Sequence, residues 1–213
     1  MSSQRQGYHQ GNLRQALIEA GLELTRTGGP SALGLRDVTR RVGVSPNAAY
    51  RHFADRDSLA EAIAEQIRKN MADRMHACEA DDARTDPQGE PLTGRVLLRA
   101  VGLGYIQFAI NEPGWFEVAF SEIAPIDPSA PAQDLPTPLR LLVSALDRAT
   151  ATGELSADDR LGAEWPCWSA VHGFALLTLH GPLRDRPRKE LTAAAERTVD
   201  AIITGVLGAG AGH

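Results

Sequence analysis

An all-α fold is the class that this 213-residue sequence predicts, and three observations carry it. Apolar residues recur at spacings of three and four in one segment after another, the mark of helices that bury a single face. Ala, Leu and Arg are plentiful while aromatics make up only 5%, a composition that favours helix. Val and Ile fall at helical spacing and never in a run of strict alternation. The expected architecture has about nine helices: an N-terminal three-helix unit over residues 8–56, and a larger helical region over residues 57–208. A long fourth helix over about 56–76 links the two.

The elements follow in order. From Asn12 to Thr27, residues Leu13, Ala16, Leu17, Ala20 and Leu24 share one face, with Asn12 the expected N-cap and Gly28-Gly29-Pro30 the stop. Leu35, Val38 and Val42 mark a short second helix, and Gly43 stands where a helix ends in a left-handed residue that only glycine adopts cheaply. Ser45 is the expected N-cap of a third helix, and Pro46 takes its first position, where a missing N–H costs nothing. That helix, about seven residues of PNAAYRH, turns Asn47, Ala48, Tyr50 and Arg51 outward and leaves Ala49 and Phe53 to pack inward. Asp55 caps the fourth helix, whose stripe of Leu59, Ile63 and Ile67 runs on towards Met71 or Met75.

Residues 79–94 are polar and rich in breakers and read as a loop. A helix over about 95–111 buries Val96, Ala100, Leu103 and Phe108, and its Gly102 and Gly104 allow close helix contact or a bend. Pro113-Gly114 breaks the chain before a short aromatic helix, WFEVAFSEI. Five prolines over residues 124–138 predict an irregular, mobile segment. LRLLVSALDRATATG forms the next helix, with Gly153 past its end. Trp165 to Leu179 is apolar nearly all round and is expected to be buried on several sides. The last helix, Leu191 to Leu207, puts Ala195, Val199, Ile202, Ile203 and Val206 on one face, before a frayed GAGAGH tail.

The net charge of −5 divides unevenly. Residues 1–56 carry eight arginines against four acids, a net of +4, whereas the remainder is −9. A basic end on an acidic protein concentrates affinity for polyanions there. A short helix with small, polar and basic residues at its N-terminal end, held by a preceding helix and a tight turn, is a shape that enters the DNA major groove. Two cysteines, Cys78 and Cys167, without a C-x-x-C pair give no disulfide framework and fit a reducing compartment. With no signal-peptide core and no apolar stretch of spanning length, the expectation is a cytoplasmic protein that does not contact membranes.

Over roughly residues 8–65 the order of L-R-D-V-T-R-R-V-G-V-S, P-N-A-A-Y-R-H-F and R-D-S-L resembles the DNA-binding half of the tetracycline-repressor (TetR) family of bacterial transcription regulators. W-S-A-V-H-G, Trp168 to Gly173, is similar to a short C-terminal signature of one subgroup, and EPGWFEVAF to a helix-breaking segment of that subgroup. Ala49 stands where larger residues are usual. The resemblance implies that Arg36 reaches a groove edge, that Ser45, Pro46, Asn47 and Ala48 face bases or adjacent phosphates, and that Tyr50, His52 and Arg56 hold the sugar–phosphate backbone. Arg51 joins them on the outward face, Tyr8 and His9 touch the backbone as well, and Arg5 lies in a flexible arm. Arg40 and Arg41 belong to a solvated face near the phosphates.

No Gly-rich phosphate loop, nucleophile elbow or H-E-x-x-H is present, so an enzyme is not expected and no cofactor is assigned. His172 and His180 lie two helical turns apart, and Cys167 with His172 has no zinc spacing, so no metal is assigned. Tyr105, Phe108, Trp115, Phe116, Phe120, Trp165, Trp168 and Phe174 all lie in the C-terminal half around Pro and Gly breaks, where a helical bundle leaves a cavity. With His172 or Glu122 as a polar handle, and Glu117 and Cys167 nearby, they are the candidate pocket for a small, mostly apolar effector. The expected protein is a ligand-responsive repressor of a palindromic double-stranded DNA operator, acting as a homodimer through its last two helices. The alternatives are an effector-independent DNA-binding dimer, or an enzyme or sequestering protein with a vestigial helix–turn–helix.

Overall fold

The structure, a computed structural model, describes residues 10–83, 93–121, 125–126 and 131–208. Arg5, Tyr8, His9, Glu122, the side chain of Cys78, parts of the 79–94 and 124–138 segments and the tail beyond Gly208 lie outside the described residues. Among the described residues there are ten α-helices, two single 3-10 turns and no strand. Packing divides the chain into two compact units, Met1–Ile67 with Glu112–Ala124, and Arg68–Asn111 with Pro125–His213.

In the first unit, α1 (Gln10–Gly28) begins two residues before Asn12, which is therefore inside the helix and not its cap. Leu17 and Ile18 are buried on it, and a 3-10 turn over Pro30–Ala32 follows its end. Next comes α2 (Leu35–Val42), closed by Gly43 at φ 79°, ψ 30°. The Gly43 N–H donates to the carbonyls of Thr39 and Arg40, and the Val44 N–H to Thr39, so the left-handed residue satisfies the last carbonyls of the helix. Then α3 (Pro46–Ala49) is a single turn, shorter than the seven residues expected. The His52 and Phe53 N–H groups both donate to the Ala49 carbonyl, at 2.8 and 3.0 Å, and this tightening carries Phe53 into the core. Ser45 is extended at the N-cap position, but its hydroxyl makes no cap bond.

Asp55 does cap α4 (Arg56–Ala83). Its Oδ1 accepts from the Ser58 N–H at 2.7 Å while its own N–H donates to Ser58 Oγ at 3.2 Å, the reciprocal pattern of a capping box. These bonds from Ser58 hold the Asp55 carboxyl below its ordinary range. The predicted stripe of Leu59, Ile63, Ile67, Met71 and Met75 is completely or almost completely buried. Because α4 runs to Ala83, the first residues of the expected 79–94 loop are helical.

Also in the first unit, α6 (Pro113–Phe120) packs on α1. Pro113 and Gly114, which the sequence reads as a break ahead of this helix, form its first turn, since proline is tolerated at the first helical position. A Cβ on Gly114 would lie 2.4 Å from the Thr25 carbonyl oxygen and 2.6 Å from that of Arg26, so only glycine permits this approach. Glu112, whose side chain is 6% exposed, clasps Arg26 by two bonds of 2.7 and 2.6 Å. These bonds raise the Arg26 pKa. The same guanidinium lies 5.1 Å over the Trp115 ring, and Trp115 Nε1 donates to the Leu22 carbonyl at 2.8 Å. The packing unit thus takes in α6 and the start of α4, where the sequence divides the chain once, after residue 56.

In the second unit α5 (Gly94–Asn111) is central and packs against α7 (Thr137–Ala151), α9 (Glu164–Leu179) and α10 (Arg188–Gly208). A four-residue helix, α8 (Ala157–Arg160), adds to the nine expected; its Ser156 hydroxyl accepts from the Asp159 N–H. Glu154 caps α5 from the loop after α7, accepting from Gly94 N–H at 2.6 Å and Arg95 N–H at 3.1 Å. Burial alone would raise the Glu154 pKa, but the bonds from Thr152, Arg95 and Gly94 and the charge of Arg95 outweigh it, and the net shift is downward. A depressed carboxyl stabilises the fold above the unfolded carboxylate range and loses that contribution as pH falls through the native value. Glu154→Gln is therefore expected to lower the urea midpoint at neutral pH and to narrow the gap from wild type as pH falls through the acid range.

One expectation about α9 is corrected. Trp165 is 44% exposed, Leu176 42% and Leu177 44%, so in the single chain one side of this apolar helix faces solvent.

Candidate DNA-reading helix and effector cavity

Two faces separate cleanly around α3. Val38, Ala49 and Phe53 are buried, and the Arg14 guanidinium closes over the Phe53 ring at 5.2 Å. Ser45, Pro46, Asn47 and Arg51 are exposed, Tyr50 is 53% exposed, and Ala48 and His52 are half-buried. Arg36 is exposed on the first turn of α2. Tyr50 is thus not the interhelical filler that a tyrosine near a small core often becomes. Arg40 and Arg41 are tied to Asp37 and Glu23 at 2.7 and 2.5 Å, on an exposed face.

Arg56 differs from its neighbours. Its Nε donates to the Leu33 carbonyl at 2.9 Å and its Nη2 to that of Pro30 at 3.3 Å, so the side chain orders the turn before α2. The guanidinium remains about half exposed, with Nη1 3.6 Å from Asp57 Oδ1, beyond hydrogen-bond distance, so that N–H groups are left to offer.

In the second unit a cavity of about 30 Å³ lies among α4, α5, α7, α9 and α10. It has room for one or two water molecules. Tyr105 and Trp168 line it, as does Cys167. His172 is not in the lining but stands behind it, its Nδ1 2.8 Å from the Tyr105 hydroxyl. Burial lowers the His172 pKa and raises that of Tyr105 well above the usual phenol value, so both are neutral near pH 7 and the imidazole tautomer sets which of the two donates. Tyr105 also meets Trp168 edge-on, with centroids 5.6 Å apart.

The other predicted pocket aromatics do not line this cavity. Phe108 is buried elsewhere on α5, and Trp165 is exposed at the start of α9. Trp115, Phe116, Phe120 and Glu117 sit on α6 in the first unit, where Phe116 and Phe120 pack ring to ring at 4.7 Å. The walls are instead mostly aliphatic, with Leu98, Val101, Leu142, Val171, Val199 and Ile203 among them. Searching for clustered aromatics misses such residues. The available signal was Gly102 within the i, i+4 row Leu98–Gly102, with Val101 and Tyr105 beside it; a Cβ on Gly102 would stand 3.2 Å from both Val199 methyls. Among the described residues no group of three or more His, Cys, Asp or Glu is placed to hold a metal ion.

A basic helix–turn–helix with its second helix presented outward, carried on a chain with a second helical bundle, defines the class of helix–turn–helix regulatory proteins. Residues 17–63 match the family model described as "Bacterial regulatory proteins, tetR family", and residues 98–202 match "Tetracyclin repressor-like, C-terminal domain". The chain belongs to the tetracycline-repressor family of bacterial transcriptional regulators, whose members are not enzymes.

Relatives agree. The HTH-type transcriptional repressor Rv3405c of Mycobacterium tuberculosis (strain ATCC 25618 / H37Rv) is 30% identical over 92 residues, 42% of this chain and 47% of that protein. The chain thus spans about half the length of the curated relatives it matches. A protein of unknown function from Rhodococcus sp. RHA1 superposes with a TM-score of 0.67 at 24% identity, covering 94% of this chain and 98% of that one. A TetR variant from Acinetobacter baumannii AYE, solved in complex with minocycline, gives 0.63 at 19%, covering 92% and 95%. These two likenesses are of fold. No helix among the described residues is long and apolar enough to cross a membrane.

Proposed function

We propose that the protein is a cytoplasmic, homodimeric repressor that reads a palindromic operator through two copies of α3 and is released by a small, mostly apolar effector. The observation that carries this reading is the exposed Pro46–Arg51 surface standing on a buried Val38–Ala49–Phe53 scaffold. In this reading residues 8–56 bind DNA, and residues 57–208 bind effector and dimerise. Arg36 reaches a base edge, while Ser45, Pro46, Asn47 and Ala48 face bases or adjacent phosphates. Tyr50, Arg51, His52 and Arg56 hold the backbone, Arg56 with the N–H groups its carbonyl partners leave over.

One recognition helix covers too few base pairs for useful affinity, and two copies about 34 Å or a multiple apart answer this. The solvent-facing side of α9, with Trp165, Leu176 and Leu177, together with exposed Ala201 on α10, supports a four-helix interface between subunits. A coupling of about 1–3 kcal/mol between effector and operator would change occupancy some 5- to 150-fold. The small cavity favours a second reading, an effector-independent DNA-binding dimer, because a drug-sized ligand needs a pocket of at least about 300 Å³.

Selection of bound duplexes from a random pool tests the operator reading; a palindrome is expected. On the selected duplex, Arg36→Ala is expected to relax discrimination at one base position by about 1–3 kcal/mol. Arg51→Ala is expected to weaken all sequences alike and to lower the salt slope by about one. Equal losses on selected and random DNA from both changes would remove these assignments.

A further inference from the structure

We propose, building on the ligand-responsive reading above, that the effector is an uncharged, mostly hydrocarbon molecule, and that the cavity in the second unit rejects charged analogues of the same shape. The carrying observation is the lining. It contains no Asp, Glu, Lys, Arg or His, and Tyr105, Cys167 and Trp168 are the lining residues whose side chains carry an O–H, S–H or N–H group. The Tyr105 hydroxyl is already engaged with His172 Nδ1.

An ionised ligand entering here surrenders its hydration and meets no counter-charge, a cost that a hydrocarbon wall does not return. The titratable groups in the lining, Cys167 and Tyr105, and the His172 ring behind Tyr105 supply no charge at neutral pH. Burial, then the negative charge of Glu164, pushes the Cys167 thiol up to about 11 against the opposing pull of Arg160. Burial also keeps Tyr105 protonated and His172 neutral. The charged residues beside the lining are paired among themselves: Arg99, next to Leu98, holds Asp200, next to Val199, at 2.9 Å, while near Cys167 Arg160 holds Glu164 at 2.9 Å and Asp147 at 2.8 Å.

At about 30 Å³ the cavity holds no aromatic ring as it stands, so the ligand opens it. Met75 is the wall residue suited to yield, since an unbranched thioether repacks more easily than Val171, Val199 or Ile203.

The test uses the full chain and four probes that share one ring: toluene, benzyl alcohol, benzoate and benzylammonium. Binding is read by titration calorimetry, and release by loss of the selected duplex. Toluene and benzyl alcohol are expected to bind, and benzoate and benzylammonium at least ~100-fold more weakly. Gly102→Ala, which puts a methyl 3.2 Å from Val199 and fills the wall, is expected to weaken toluene by ~10-fold or more while DNA binding persists.

Benzoate or benzylammonium binding as tightly as toluene overturns the proposal, and if it also releases DNA the ligand-responsive reading stands. Binding by none of the four at millimolar concentration overturns it as well, and unchanged toluene affinity in Gly102→Ala overturns the location. Neutral probes that bind here without releasing DNA leave the cavity's rejection of charge standing, and remove the ligand-responsive reading and with it the claim about the effector.

Discussion

Gly114→Ala is expected to cost about 3 kcal/mol or more, the upper end for overpacking. A midpoint of thermal unfolding about 6–12 °C below wild type follows for a chain of this size. The new methyl would meet two backbone oxygens, those of Thr25 and Arg26, at 2.4 and 2.6 Å. Both carbonyls belong to the last turns of α1, so relief requires α6 to back away from α1, and the change cannot be absorbed by a side-chain rotation. Backing away would also loosen the Glu112–Arg26 clasp and the Trp115 bond to Leu22. Gly208→Ala, at a site with nothing within 4 Å, is the control and is expected to leave the midpoint nearly unchanged. Differential scanning calorimetry of both variants is the measurement; similar midpoints for the two would show that α6 does not need its close seat on α1.

The second large effect concerns assembly. Changing Leu176 and Leu177 together to Glu is expected to leave the fold of the single chain intact, because both side chains are more than two-fifths exposed. In the proposed dimer the same change places four carboxylates in an apolar seam, where their desolvation is not repaid. Sedimentation velocity is expected to show a monomer. Affinity for the selected palindrome is expected to fall about 100-fold or more, since one recognition helix loses the avidity supplied by its twin. A dimer that persists with unchanged operator affinity would move the subunit interface off this face of α9.

The readable parts of the sequence were those governed by local chemistry. Gly43 ends α2 in the left-handed region, Pro46 opens α3, and Asp55 caps α4. The Leu59–Met75 stripe is buried along its whole length. Each of these depends on spacing or on one residue's backbone preference, and such signals survive without knowledge of neighbours. Three expectations failed where the neighbours decide. Asn12 sits inside α1 and the Ser45 hydroxyl makes no cap, because cap composition marks a preference that other contacts override. Pro113 and Gly114 open α6 and do not interrupt the chain before it, because a break and a first helical turn use the same residues.

The candidate pocket shows the same limit. Aromatic clustering drew together Tyr105 and Trp168, which share a wall, with Trp115, Phe116 and Phe120, which pack α6 in the other unit. Arg56 likewise reads as a plain basic residue until the carbonyls of Pro30 and Leu33 are seen to hold it.

The all-helical class, the basic amino-terminal trio and the outward-facing Asn47–Arg51 edge were written in one dimension, because periodicity, glycine and proline act within a turn or two of the chain. Which helices touch, and hence that a mostly aliphatic cavity has Gly102 in its wall and Tyr105 leaning on His172, came only from three dimensions. Packing compares shapes of segments distant in the chain, and the same apolar letters serve a core, a cavity wall or a subunit seam until those shapes are set side by side.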